Sequence, residues 1–406
     1  MALFSEFLSA FNAGLDGKNK GIPIGMPRFE KYLNGLHRGR YYTLFSEGGT
    51  GKSSFAWSTF VINPLDYMLR FNAALERDQN LTEEQKAEKR ISVKIKLYSL
   101  EVVRREVIAK MVCLKIYRDF GIIVSVDYIL NRIEGYFVGP TIRFLVQTYA
   151  KYFNTLEEKG YLEIIDTPKT PSAIKNDIHQ FAASNGKFIK SKNNETRYVP
   201  NDPNEIVIIL TDTVGNLVVE PVNGKSSVKT TIDAHSANCR FYFRDLLNYT
   251  PINISHSNRS MSDPHRGKAG ELFPKLSDIK ETNMLEQDSS VVMAIFNPMN
   301  HILTNKSLSS FMNYDIVKLK ERFRCIGILK NRHGMVNTRV GMLFIGENAH
   351  FEELPHADSM SISDYTAIFN LKGAQYKKDV ELQAIVKLKN PKLYESLRIY
   401  LNKKSA

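Results

Sequence analysis

Lys52 and Ser53 close the run Ser46-Glu-Gly-Gly-Thr-Gly-Lys-Ser-Ser54, and that order of residue types suits a nucleotide phosphate. Gly48, Gly49 and Gly51 let backbone N–H groups, Thr50 among them, turn inward around phosphate oxygens. Lys52 would reach the β- and γ-phosphates of ATP, and the Ser53 hydroxyl would bind Mg²⁺. Ser54 continues into a helix whose amino end adds its positive dipole. One position departs from the usual phosphate-loop pattern: its first glycine is here Ser46.

Two acids complete a candidate hydrolytic site. Asp212 ends the run Glu-Ile-Val-Ile-Ile-Leu-Thr-Asp, and an acid at the tip of a central strand can hold the metal through water. Its plainer reading is a turn-starting aspartate. Glu101 ends Leu97-Tyr98-Ser99-Leu100-Glu101, where a carboxylate can polarise an attacking water. Taken alone, it reads equally as an acid at a helix amino end.

These residues need strands and helices to bring them together. Residues 40–45 read as a buried strand, followed by the glycine-rich turn and an apolar helix from Lys52. Residues 72–90 are charged and helical. Strands are expected at 91–100, 161–165, 205–210, 252–255, 290–296, 324–329 and 338–346. Helical patterns cover 102–118, 140–158 and 172–184, and residues 186–204 read as a basic hairpin or loop. Strands alternating with helices predict an α/β fold, with a mostly parallel central sheet flanked by helices. The N-terminal Leu3, Phe4, Phe7, Leu8 and Phe11 form one apolar stripe on a helix too short to stand alone in water. It must dock on its own domain or on a neighbouring subunit.

Composition narrows the class. The chain has 406 residues, 43% of them hydrophobic, which excludes a disordered chain. Lys and Arg number 55 against 43 Asp and Glu, and the +12 net charge favours a polyanionic partner. Cys113, Cys239 and Cys325 are odd in number and far apart, so they suit a reducing compartment rather than a disulfide framework. No apolar run reaches the ~18 residues of a membrane span, and the first residues do not form a secretory signal. The expected location is cytoplasmic, in the host cytoplasm for a viral chain.

Together the motifs resemble the RecA-like motor of DnaB-type hexameric replicative helicases (superfamily 4). The likeness starts at Gly21-Ile-Pro-Ile-Gly-Met-Pro-Arg-Phe. It runs through the phosphate loop, Ser99-Leu100-Glu101 and Ile164-Ile165-Asp166-Thr167-Pro168. Its most specific stretch is Leu276–Val292, which contains Glu286, Gln287 and Asp288, and it ends with Lys330-Asn-Arg-His-Gly334. The resemblance covers roughly residues 21–350. It implies that Glu101 orients the attacking water, Asp212 is the Walker B acid and His256 senses the γ-phosphate. It implies that Lys330 and Arg332 reach into a neighbouring subunit's ATP site. Phe344 either lies against adenine or is a core residue. The N-terminal helix would close a ring by docking on the adjacent protomer.

The resemblance also implies a hexamer that encircles one DNA strand. Two segments suit the channel: one with Asn223, Gly224, Lys225 and Lys229, the other with Arg259, Arg266, Gly267 and Lys268. Lys, Arg and small residues track phosphates without reading bases. The expected organisation is a docking helix and linker at 1–20, a motor at 21–355 with a basic insert at 186–204, and a basic helical extension at 356–406. Between 372 and 404 lie nine Lys or Arg and three acids. Only about twenty residues precede the motor, so no collar domain is expected, and a separate primase or loader would be needed. The expected activity is phage-like ATP-dependent unwinding of DNA. The alternatives are a RecA-fold strand-binding or recombination mediator and a non-enzymatic ring protein.

Overall fold

A near-continuous apolar run from Ile206 to Leu210 can lie only where both faces of a strand are covered, and it forms the middle of the sheet. The computed structural model describes residues 3–15, 19–190, 196–221, 224–258, 261, 266, 271–301 and 308–405. Its strands in chain order are β1 (Tyr42–Ser46), β2 (Ser92–Ser99), β3 (Leu162–Ile165), β4 (Gly186–Lys190), β5 (Thr196–Pro200), β6 (Glu205–Asp212) and β7 (Thr250–His256). Then come β8 (Val291–Phe296), β9 (Ser310–Phe311), β10 (Tyr314–Asp315), β11 (Phe323–Asn331), β12 (Thr338–Ile345) and β13 (His350–Glu353). Among the described residues nine strands build one sheet in the order β13-β12-β11-β8-β1-β7-β6-β2-β3. The block from β8 to β3 is parallel, and β11, β12 and β13 extend it antiparallel.

Register decides what meets at the carboxyl ends. Ser46 pairs with His256 across β1 and β7, and Ser99 pairs with Asp212 across β2 and β6. Strand order therefore gathers the phosphate loop, His256, Asp212 and the start of the Glu101 turn along one edge, where open α/β sheets bind ligands.

One face of the sheet is covered by the Lys52–Ala56 helix and its continuation, together with the Arg104–Phe120 and Pro140–Glu158 helices. The opposite face carries Pro171–Asn185, Val228–Ala237 and the turn of helix Asn238–Leu246. The helix after the phosphate loop passes through a π segment at Trp57–Ile62. Wider turns loosen the usual ladder, and Arg118 donates to the Ser58 carbonyl oxygen at 3.0 Å and to Ser58 Oγ at 2.7 Å.

The 72–90 stretch is interrupted. One helix ends at Arg77, Asp78 is extended, and a capping box between Thr82 and Gln85 starts Glu83–Lys89. Residues 186–200 form the β4–β5 hairpin around 191–195, which lie outside the described residues. The basic C-terminal stretch forms the Asp379–Lys389 and Pro391–Ser405 helices, which pack on Pro140–Glu158. Asp379 caps that longer helix, accepting from Thr141 N at 3.1 Å and Thr141 Oγ1 at 2.9 Å. Leu382, Val386 and Leu397 are buried in the same core as the sheet. Its lysines are a solvated face on a docked element. Among the described residues no helix is long and apolar enough to cross a membrane.

Candidate active site

Gly51 has φ +100°, in the left-handed region that glycine enters without steric cost. A Cβ at this position would lie 3.0 Å from the ring atoms Cζ of both Phe344 and Phe351, so the loop also needs glycine for space. Gly49 has φ +70°. These turns deliver Lys52 and Ser53 to the amino end of the following helix. Lys52 Nζ donates to the carbonyl oxygens of Ser46 at 3.2 Å and Glu47 at 2.8 Å. Thr50 Oγ1 donates to Glu47 O at 2.8 Å.

Ser53 Oγ donates to Asp212 Oδ1 at 3.1 Å, joining the two residues expected to hold Mg²⁺. Burial raises the Asp212 carboxyl to about 7, the Ser53 hydrogen bond opposes it, and Glu101 adds to the rise. Asp212 Oδ2 is buried without a hydrogen-bond partner. An orphaned carboxylate oxygen beside a loop hydroxyl fits a cation, reached directly or through its water. Burial lowers Lys52 to about 8, while Glu101, Asp212 and Glu47 pull it back up.

His256 completes the row. Its Nδ1 lies 3.2 Å from Lys52 Nζ, and its Nε2 lies 4.0 Å from Glu101 Oε2. An ammonium can only donate, so Nδ1 accepts and the imidazole is neutral. Burial first, and then the Lys52 charge, hold its pKa below the usual histidine value. The side chain thus links the residue that would grip the γ-phosphate to the one that would orient water.

Lys330 and Arg332 lie elsewhere. In the β11–β8 register Lys330 pairs with Val292, and Tyr42 at the start of β1 pairs with Val291 next to it. The phosphate loop leaves β1 at its other end. Four residue steps along β1 span roughly 13 Å before the loop itself begins. Both cations rest on the carboxyl end of the short Met284–Asp288 helix. Lys330 Nζ donates to Glu286 O and, at 3.2 Å, to Gln287 O, and Arg332 donates to Gln287 O at 2.7 Å. Helix carboxyl ends favour cations.

Phe344 stacks on Phe351 with ring centroids 4.5 Å apart, and both rings back onto Gly51. It is 9% exposed and belongs to the main core. Above it sits Arg324, 3% exposed, its guanidinium 4.8 Å from the Phe344 ring centroid. Arg324 Nε donates to the Thr50 carbonyl oxygen at 3.0 Å, and its NH1 donates to Glu321 O and Phe323 O. Sequence reading overlooks this brace, although a lone Arg in Phe-Arg-Cys-Ile-Gly-Ile-Leu is the signal for it. Glu47 is also held, by His301 Nε2 at 3.1 Å.

Of the residues expected to face a strand, Asn223, Arg259, Gly267 and Lys268 lie outside the described residues. Gly224 takes φ +75° and Lys225 is exposed, just before the Val228–Ala237 helix. Lys229 pairs with Asp233 at 2.7 Å on the helix surface. Arg266 is committed within the chain. It forks onto Asp278 at 2.8 and 2.7 Å and donates to the carbonyl oxygens of Glu271 and Phe273, so a phosphate would have to displace these partners.

No protein-family model matches the chain, and no curated protein matches it. Solved structures do. The ATPase domain of a phage helicase superposes with a TM-score of 0.58 at 16% identity, covering 87% of this chain and 100% of that one. A DnaB-like replicative helicase, described with its interactions with primase, gives 0.57 at 17% identity, covering 87% of this chain and 67% of that one. The chain has the RecA-like P-loop ATPase fold that these two structures share.

Proposed function

We propose that this chain is an ATP-dependent replicative DNA helicase, a ring of six copies that moves along single-stranded DNA and unwinds duplex. One observation carries the reading. Lys330 and Arg332 stand at the end of the sheet away from their own phosphate loop. No side chain spans that distance, so cations suited to a γ-phosphate serve a neighbouring copy.

Within each site, Lys52 and the loop amides hold the phosphates of ATP. Ser53 and Asp212 hold Mg²⁺, which when bound offsets phosphate charge. Glu101 orients the attacking water and accepts its proton. Arg332 from the adjacent copy stabilises charge as the γ-phosphoryl leaves, with Lys330 beside it. His256 lies between Lys52 and Glu101, so loss of phosphate contact at Lys52 alters the environment of both its neighbours.

The N-terminal helix supports assembly. Phe4, Phe7 and Phe11 are 72%, 62% and 52% exposed on it. A neighbouring protomer is the surface that would cover them, each ring contributing about 1.5–3 kcal/mol when fully buried. The segment with Gly224, Lys225 and Lys229 suits a phosphate backbone in the channel. A separate primase or loader chain would complete the machinery.

Native mass measurement, strand-stimulated ATPase and displacement on a forked duplex test this together. A six-copy mass, stimulation by single strands and displacement from one tail polarity are expected. Filaments with stimulation but no displacement would identify a recombination mediator instead. A monomer without stimulation would overturn both.

A further inference from the structure

Beneath the sheet, on the face away from the phosphate-loop helix, a line of polar side chains is buried among apolar ones. Thr211, His235, Asn253, Tyr41, Ser236 and Asp288 are each 0% exposed. His235 Nε2 lies 3.2 Å from both Thr211 Oγ1 and Asn253 Oδ1. Asn253 Nδ2 donates to Tyr41 Oη at 2.7 Å, Tyr41 Oη is 3.2 Å from Ser236 Oγ, and Ser236 Oγ donates to Asp288 Oδ2 at 2.9 Å.

The carboxylate fixes the direction of every link. An ionised Asp288 only accepts, so Ser236 donates to it. Ser236 then accepts from Tyr41, and Tyr41 accepts from the Asn253 amide. The Asn253 carbonyl oxygen therefore faces His235, whose Nε2 must carry its proton. Hydrogen bonds aligned in one direction polarise and strengthen one another. The His235 Nδ1 atom is buried without a partner, so the imidazole is held by this line alone.

The ends of the line matter. Thr211 precedes Asp212, and Asn253 lies on β7, which ends at His256. Asp288 ends the short helix whose carbonyl oxygens hold Lys330 and Arg332, and Arg240 anchors its other oxygen at 3.0 Å. His235 and Ser236 both belong to the Val228–Ala237 helix, which starts directly after the exposed Gly224–Lys225 segment. A single helix thus touches the strands of its own ATP site and the platform of the cations that serve the next one.

We propose that the Val228–Ala237 helix is the element that carries strand binding to both ATP sites, and that Tyr41 and Ser236 are the positioning residues that tie it to the Asp288 platform. This rests on the reading of the chain as a strand-stimulated ATPase. A contiguous network is a physical route for coupling, and its coupling has to be measured. Neither hydroxyl touches nucleotide, so removing one alters communication and leaves the chemistry in place.

The test compares basal and single-strand-stimulated ATPase of the full chain, Tyr41→Phe, Ser236→Ala, Ser236→Thr and the Tyr41→Phe/Ser236→Ala pair. Oligo(dT) is the probe strand. Tyr41→Phe and Ser236→Ala should keep basal kcat within twofold and lower the stimulation ratio at least threefold. Ser236→Thr, which retains a hydroxyl, should restore the ratio. The pair should lose no more than the worse single change, because both cut one line. Should Ser236→Ala fail to fold, Tyr41→Phe carries the same test. A ratio that falls less than threefold in Tyr41→Phe overturns the coupling while the helicase reading stands. A wild-type chain that oligo(dT) does not stimulate overturns both.

Discussion

Glu101 is the residue on which hydrolysis turns, because it is the carboxylate facing His256 at the strand tips. Glu101→Gln keeps size and polarity and removes the base. It should lower kcat about 10²–10⁴-fold with ATP affinity unchanged, a split visible in steady-state kinetics beside nucleotide binding. Arg324 makes the opposite forecast. It touches the Thr50 carbonyl oxygen and no position a phosphate would take, so Arg324→Gln should raise KM for ATP more than it lowers kcat. His235 gives a pH signature. Burial lowers its pKa from the ordinary 6.5 to about 4. Above the unfolded value neither state is protonated and the group is neutral in its effect. As pH falls from 6.5 toward 4 the unfolded chain takes a proton that the folded one refuses, so stability is lost across that window. The loss is on the order of 3 kcal/mol. Urea midpoints at pH 7 and 4.5 should converge for His235→Asn relative to wild type. An equal drop in both proteins would refute the assignment.

At the scale of elements, the chemistry is legible because each motif sits at a strand tip with its own local signal. Gly48 to Ser53, Glu101 and Asp212 follow apolar runs that read directly as strands, and the parallel register brings them together. The β13 strand is not legible. His-Phe-Glu-Glu is short and half acidic, and only pairing with β12 makes it a strand. The buried line from Thr211 to Asp288 is equally invisible, since its members come from five separate segments and meet only through register and helix placement. The C-terminal helices show the limit of charge counting. Nine basic residues suggest a surface tail, yet Leu382, Val386 and Leu397 are core. Leu382→Ala should therefore cost about 2–5 kcal/mol in urea unfolding, whereas Lys387→Ala on the solvated face should cost within ~0.5 kcal/mol.

For the whole molecule, the decisive property is which copy completes which site. A single chain holds a phosphate loop at one end of its sheet and the Lys330–Arg332 pair at the other. That polarity makes each protomer half of two sites and lets two inactive proteins repair each other. Lys52→Ala leaves the cation pair intact and destroys its own loop. Arg332→Ala leaves the loop intact and destroys what it offers next door. Each alone should hydrolyse almost nothing. In an equal mixture a site works when its loop comes from the Arg332→Ala chain and its arginine from the Lys52→Ala chain. Random assembly into a closed head-to-tail ring makes about a quarter of the sites whole. Basal ATPase should rise to about that share of wild type on mixing, and should fall again when Phe7→Asp and Phe11→Asp in both chains disrupt the N-terminal docking helix. If Arg332 acted within its own chain, every site in the mixture would lack one essential group. Mixing would then recover nothing, at any ratio.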